Sequence, residues 1–584
     1  MDRTAWIAVA LCAIGLVLWE FYVVKQTVPK GATANAPGAS ASPLLTPAAT
    51  TSASPVAAEP APIPTPQPTE TVPQFQEVTG MLRNADFELH LTNRGGGVKQ
   101  VVLLNHTTDD GERLVLNSPD RTPIGAIIEN PAAPLLREYK MTRQGDAVQF
   151  ERVTPDQITM RKKFFLPPTS EKKDNFLAEL DVDLANGGAQ PYKSAGYFLA
   201  LGSAVPLHPT DYPTFTRVAW CINGRAKGID VGWFGGGGGL FGVGARAPQQ
   251  VYQENLSGAE WVAVSNQFFT TLIAPLPGTR KADTVWGRRF DLSADQKIHG
   301  IDGAMHMPGF QLEAGQTYSA RFEIYSGPKI YHRLSLLEHN EAEIMDFGMF
   351  KLVCQFLLNF MNLLHGALGN YAAAILALTT IIKLALWPIQ NKANRSMRQM
   401  GALSPKMQEL REKYKDDPTR MNQEVMKMYK EYGINPVGGC LPMVIQIPIF
   451  FGLFTMLRQA VELRHSSFLW VRDLSQPDTV AHTPGIGLLN IPPLPINIIP
   501  LCMAATQIWL MQMTPKTGDA TQRRVMMFTP LIFLFFCYNF AAALALYYTA
   551  QNLLSILQFY QNKNQPMPTL EKVAPAAKRA RKNR

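Results

Sequence analysis

The 584-residue chain has only six cysteines, and their spacing is neither that of a disulfide framework nor that of a metal site. Cys12, Cys440, Cys502 and Cys537 lie in apolar stretches and Cys354 in an amphipathic one. Cys221 is therefore alone in the large polar region and cannot staple it internally. No CxxC or HExxH spacing occurs, so no metal or cofactor is expected. Charge is also missing where a soluble protein needs it. Residues 525–562 are 38 consecutive positions without Asp, Glu, Lys or Arg. An apolar run of ~18 or more residues reads as membrane-spanning, which excludes a fully soluble protein.

The remaining sequence divides by composition. Residues 1–30 hold an apolar segment expected to be an uncleaved anchor span, with a signal peptide as the rival reading. Residues 31–74 are Pro/Ala/Ser/Thr-rich and expected to be a disordered tether. Residues 75–335 carry short apolar runs punctuated by Gly, Pro and Asn, the spacing of a β-sandwich domain. The glycine run 235–239 lacks the Lys-Ser/Thr of a phosphate loop and reads as a plain loop.

Residues 336–369 are expected to be an interfacial amphipathic helix, with Met349, Val353, Phe356, Phe360, Leu363 and Leu364 on one stripe. Packing of that helix against the β-domain is the alternative. Span 2 is placed at 370–388 and a charged helical hairpin at 389–436, where Asp417 and Pro418 mark a helix start. Span 3 (437–458), an outer loop (459–493), span 4 (494–513) and an inner loop (514–524) follow. The long uncharged run is too long for one crossing, so it divides into span 5 (525–540) and span 6 (541–561), turning near Asn539. A basic tail covers 562–584. The fold class is thus a six-span α-helical membrane protein with a large all-β domain. Basic residues concentrate in 389–436, 514–524 and the tail, which puts both termini inside and the β-domain outside.

Spans 2 to 6 contain no Asp or Glu, which argues against a proton-coupled pump. They do contain Lys383. A lysine at the bilayer centre costs about 2.5 to 3.5 kcal/mol on insertion scales, so its position needs a reason. It could snorkel to the inner headgroups, or it could line a hydrated groove. Thr379 shares its helix face. Gln446, Tyr547, Tyr548, Gln551, Asn552 and Ser555 add polar groups in other spans, each of which could equally be glue between helices. A cationic groove lined by neutral hydrogen-bonding groups could hold a polar stretch of another polypeptide part-way into the bilayer. No nucleophile–base pair is available there, so no enzyme is expected. A small-solute transporter or channel is the alternative, but it predicts paired internal repeats, and none is evident. A sensor or carbohydrate-binding module would need a single anchoring span.

Residues 435–450 (NPVGGCLPMVIQIPIF) resemble the third-span signature of the YidC/Oxa/Alb insertase family, and 546–552 (LYYTAQN) resemble its last span. Residues 94–100 (RGGGVKQ) and 261–274 are similar to segments of the periplasmic domain of its Gram-negative type. The resemblance implies insertion and folding of nascent membrane proteins in the bacterial inner membrane, alone or beside the Sec translocon. It also implies a five-helix core with a lipid-facing groove, an added anchor span, a periplasmic β-supersandwich and both termini in the cytoplasm. By position, Lys383 matches the family's groove arginine. Thr379 and Tyr548 match groove residues, and Gln446 and Phe450 match substrate-facing positions of the third span. Tyr547 and Gln551 complete the expected groove. Lysine in place of arginine keeps the charge but loses the planar, multi-donor fork. The basic tail fits ribosome attraction, or simply positive-inside placement.

Overall fold

The computed structural model describes residues 75–168, 175–237, 246–293, 298–415, 417–434, 441–484, 493–513 and 520–563. The expected anchor span, the tether, most of the inner loop 514–524 and nearly all of the basic tail lie outside these residues.

Strict alternation builds the β-domain. In strand Leu177–Asn186, Leu180, Val182 and Leu184 are buried while Glu179, Asp181 and Asp183 between them are more exposed, the two-residue period of a half-buried strand. That strand pairs antiparallel with Ile158–Phe165 and Thr317–Pro328 inside a nine-stranded sheet running from Arg225–Asp230 to Lys140–Gln144. A five-stranded sheet, with Ile298–Leu312 between Ala282–Ser293 and Tyr192–Ala204, packs across its first strands. Gly303 makes this approach possible, since a Cβ there would lie 2.5 Å from Val264 Cγ1 of the facing sheet. A four-stranded sheet (Thr79–Arg83, Phe87–Thr92, Gly97–Thr107, Arg113–Leu116) closes the domain. Trp220, Trp261, Tyr252, Tyr325 and Phe164 fill the interior. The glycines at 94–100 serve the fold: the buried Lys162 ammonium donates to Gly95 O at 2.7 Å and Gly125 O at 3.1 Å, over the Tyr139 ring. Burial holds its pKa well below the usual lysine value.

Among the described residues, eight helices of ten residues or more follow: α1 (Lys351–Leu368), α2 (Tyr371–Ala402), α3 (Ser404–Lys413), α4 (Pro418–Glu431), α5 (Leu441–Gln459), α6 (Ile498–Met513), α7 (Ala520–Cys537) and α8 (Ala542–Lys563). Gly369, at φ 69°, ends α1, and Asn370 caps α2 by accepting from Ala373 N at 3.1 Å. Asp417 caps α4, with Pro418 in its first turn. Gly452 lets α5 lie against α1, where Cys354 Sγ donates to Gly452 O at 3.4 Å. One hydrophobic core runs without interruption from the β-domain into α1, α2, α5 and α8.

Several edges fall elsewhere than the sequence reading draws them. Span 2 was bounded at 388, yet α2 continues through Pro388 to Ala402, with Gln558 of α8 donating to Trp387 O at 3.4 Å beside the proline. Proline removes the helical hydrogen bond to Leu384 O four residues back, and the Gln558 contact falls on the neighbouring Trp387 O without replacing it. Pro495–Asn497, assigned to span 4, instead pairs with Thr479–His482, and Asp478 Oδ2 accepts from Ile499 N at 2.7 Å to cap α6. The packed face of α1 is Cys354, Leu357, Leu358 and Met361; Met349, Phe356 and Leu363 of the expected interfacial stripe are exposed, as that reading needs, while Val353, Phe360 and Leu364 of it are partly buried against the core. By length and composition, one described helix, Tyr371–Ala402, is long and apolar enough to cross a membrane, and Ile498–Met513 and Phe528–Cys537 are shorter apolar helices.

Candidate functional site

The expected groove residues come from α2, α5 and α8. Lys383 points inward and is 5% exposed, although Leu384 beside it is 58% exposed. Its ammonium donates to Gln390 Oε1 at 2.6 Å and to Ser555 Oγ at 2.7 Å. The lysine reaches seven residues along its own helix and across to α8, and no ion pair to a carboxylate is present among the described residues. Thr379, on the same face, is buried, and its hydroxyl donates to Ile375 O at 2.6 Å. It therefore contributes a small polar surface to the interior and no bond across helices.

One level away along α8, Gln446 Nε2 donates to Tyr547 Oη at 3.0 Å and to Gln551 Oε1 at 3.3 Å. Ser555 Oγ donates to Gln551 O at 2.8 Å, so α8 links this cluster to the lysine. Phe450 is one helical turn from Gln446. Its ring packs edge-on to Tyr548 at 5.3 Å, and Phe533 of α7 meets Tyr548 at 5.2 Å. The chemistry of the arrangement is consistent throughout. A single cation is held by neutral amides and hydroxyls, with an aromatic wall on one side. Asn552 points differently, donating to Met503 O and Thr506 Oγ1 of α6 at 3.3 and 3.2 Å, and so acts as a joint between helices.

The sequence reading missed Gln390, Asn391, Gln558 and Asn562. Asn391 Oδ1 accepts from Gln558 Nε2 at 2.9 Å and from Asn562 Nδ2 at 2.8 Å, extending the polar interior toward the charged end of α2. Arg398 closes it by donating to Asn562 O at 2.6 Å. The signal was present: Gln551, Ser555, Gln558 and Asn562 recur at i, i+4, i+7 and i+11, a single stripe along α8.

Two family models match the chain, one described as YidC periplasmic domain over residues 81–360 and one described as 60Kd inner membrane protein over residues 363–568. The chain is 39% identical over 303 residues to the membrane protein insertase YidC of Syntrophobacter fumaroxidans, covering 51% of this chain and 53% of that protein. To the membrane protein insertase YidC of Syntrophus aciditrophicus it is 42% identical over 255 residues, covering 43% and 44%. The chain thus spans about half the length of the curated relatives it matches. Among solved structures it is similar to an active YidC insertase crystal structure with the first transmembrane domain resolved, at 18% identity, 85% coverage of this chain, 94% of that chain and a TM-score of 0.33.

Proposed function

Because the chain belongs to the YidC/Oxa/Alb family of membrane protein insertases, we propose that it inserts nascent membrane proteins into the bacterial inner membrane and helps them fold, alone or beside the Sec translocon. The members it matches are named insertases rather than enzymes. The observation that carries the reading is the set of partners of Lys383: a buried ammonium whose charge is met by Gln390 and Ser555 and, among the described residues, by no carboxylate. An ammonium has three donors, and two are used here. The cation therefore retains a field that can attract an acidic or strongly polar segment, and Gln446, Tyr547 and Gln551 can exchange their bonds to one another for bonds to that segment. Moving such a segment into hydrocarbon without these groups costs several kcal/mol per unpaired polar atom, on the order of 4–8 on the most apolar scale.

In this reading α2, α5, α6, α7 and α8 cross the membrane and an N-terminal segment adds a sixth span. The β-domain is periplasmic, and the hairpin around α3 and α4 and both termini are cytoplasmic. At ~1.5 Å per residue, the 16 residues of α6 cover ~24 Å and the 22 of α8 ~33 Å, bracketing a ~30 Å hydrocarbon layer. The bilayer partners include the exposed Leu352, Phe356 and Leu363 of α1, which suit an interfacial helix. The ribosome is a partner of the basic tail and cytoplasmic loops.

The test is photocrosslinking from positions 379, 446 and 548 to a ribosome-held single-span nascent chain. Adducts at these positions, with none from the lipid-facing 384 and 535, are expected. Absence of adducts from correctly folded protein would remove the polypeptide client and bring forward a small-solute path, which a flux assay measures.

A further inference from the structure

Where the β-domain meets the loop after α5, three residues far apart in sequence converge. Asp109 lies between strands Gly97–Thr107 and Arg113–Leu116, while His465 and Asp473 follow α5. Each offers a ligand-type atom, and these atoms lie within 4.8 Å of one another. A cleft of about 750 Å³ adjoins them, lined also by Trp470, Gln476 and Asp478.

The surrounding protein holds the other polar atom of each group. Asp109 Oδ2 lies 2.9 Å from His208 Nδ1. His465 Nδ1 is 3.4 Å from Thr107 Oγ1. Asp473 Oδ1 accepts from Ser475 N and Oγ, both at 2.7 Å. Asp109 Oδ1 lies 3.7 Å from His465 Nε2, and Asp473 Oδ2 is enclosed with no hydrogen-bond partner among the described residues. Outer partners that fix the tautomer and orientation of inner groups are the usual support of a metal's ligands. His465 is also held at φ 56°, a left-handed conformation that costs a residue with a side chain of order 1–3 kcal/mol.

The local charge agrees. Arg464 Nη2 lies 3.4 Å from His465 Nε2 and donates to Thr107 O at 3.2 Å. Its field is shared with Asp473, Asp211 and Asp109. Three carboxylates thus act on the Arg464 guanidinium, and Asp478 and Arg472 line the same cleft.

We propose that Asp109, His465 and Asp473 form a binding site for a divalent transition-metal ion of the zinc type, which fastens the β-domain to the loop following α5. One imidazole with two carboxylates suits such an ion, and the cleft leaves a fourth position for water. An ion on Nε2 would replace the 3.4 Å contact that Arg464 Nη2 makes there. The inference stands apart from the insertase reading, since none of these residues belongs to the groove.

The experiment uses the full chain in nanodiscs, with its affinity tag removed, stripped with a chelator and titrated with Zn²⁺, then with Co²⁺ for its visible spectrum. One ion per chain is expected, with a higher Tm and slower hydrogen exchange over residues 105–112 and 464–474. His465→Ala and Asp473→Asn should each weaken binding by at least ~10-fold, the lower end of what loss of even a supporting group costs. His482→Ala, in the same loop but outside the cluster, should leave binding unchanged. Equal metal-free Tm values for variants and wild type establish that the variants fold, and Asp109→Asn serves if one does not. No saturable binding would reduce the cluster to an ion-pair contact, and binding undiminished in the ligand variants would place the ion elsewhere. Either result overturns the proposal.

Discussion

Lys383 carries its charge among neutral partners, so substitutions there separate charge from hydrogen bonding. Lys383→Arg keeps the field and should retain insertion of a single-span client in proteoliposomes within a factor of ~2. Lys383→Glu reverses an interaction worth ~4 kcal/mol at 4 Å and an effective dielectric of 20, so a loss of more than ~10-fold is expected. Equal activity of the two would take charge out of the mechanism. Glu341 offers a different residue-scale test. It is fully buried, one oxygen accepts from His339 N at 2.9 Å, and the other has no partner among the described residues. Burial pushes its carboxyl from 4.5 up to about 7. Between these two values the folded protein binds a proton that the unfolded chain has released. Stability from this group is therefore complete below pH 4.5 and declines as pH rises through 7. At 1.36 kcal/mol per unit, the loss by pH 8 is roughly 3 kcal/mol. Glu341→Gln, neutral and of the same shape, should raise Tm at pH 8 and change it little at pH 4.5. The same increment at both pH values would show that titration is not the cause.

The helices α1 and α5 show what local sequence can and cannot reveal about an element. A Cβ on Gly452 would lie 2.8 Å from Val353 Cγ1, so Gly452→Val must push α1 outward. Overpacking of this kind costs about 1–3 kcal/mol, and thermal unfolding should report it as a lower Tm, while Gly366→Ala, in open space on α1, should not. The existence of α1 was legible from its periodicity, as was the cap of α4 from Asp417 and Pro418. Its buried face was not, because α1 is apolar on more than one side and the choice is made by α2 and α5. The turn between α7 and α8 was placed near Asn539 without a Gly or Pro to mark it. The structure turns at residues 538–541, and the backbone there is satisfied from a distance: Ala542 N donates to Gln476 O at 2.8 Å, Ala543 N to Leu474 O at 3.0 Å, and Asn497 Nδ2 to Tyr538 O at 2.8 Å. A turn held by another segment needs no turn residue of its own. The groove divides in the same way. Lys383 and the polar groups of α5 and α8 stood out because they are costly in apolar spans. Gln390 and Asn391 did not, because a boundary drawn at Pro388 made them look like solvent-facing residues.

At the scale of the whole molecule, the β-domain and the helices share one core. The β-domain reaches the helices through the end of α5: Gln267 Nε2 donates to Arg458 O at 2.9 Å, and the Arg458 guanidinium sits 3.5 Å over the Tyr212 ring. Thr210 Oγ1 donates to Gln476 Oε1 at 2.7 Å in the following loop, the loop that also supports the start of α8. None of this was visible in sequence, because contacts spanning some 191 to 358 residues leave no local period. Yet every residue proposed for the groove lies after position 370, on α2, α5 and α8, and those helices pack on one another directly. Deleting residues 75–320 should therefore leave insertion of a simple single-span client largely intact. It should also lower the thermal stability of the remaining core, since it uncovers apolar residues of the shared interior and removes the Tyr212 and Phe215 rings from Arg458. Insertion in proteoliposomes and Tm of the truncated chain measure the two effects separately. Loss of insertion from a truncated chain whose helices remain folded would move the work out of the groove and into the β-domain. A truncated chain that inserts normally and melts no lower would show that the continuous core contributes nothing to the helices it joins.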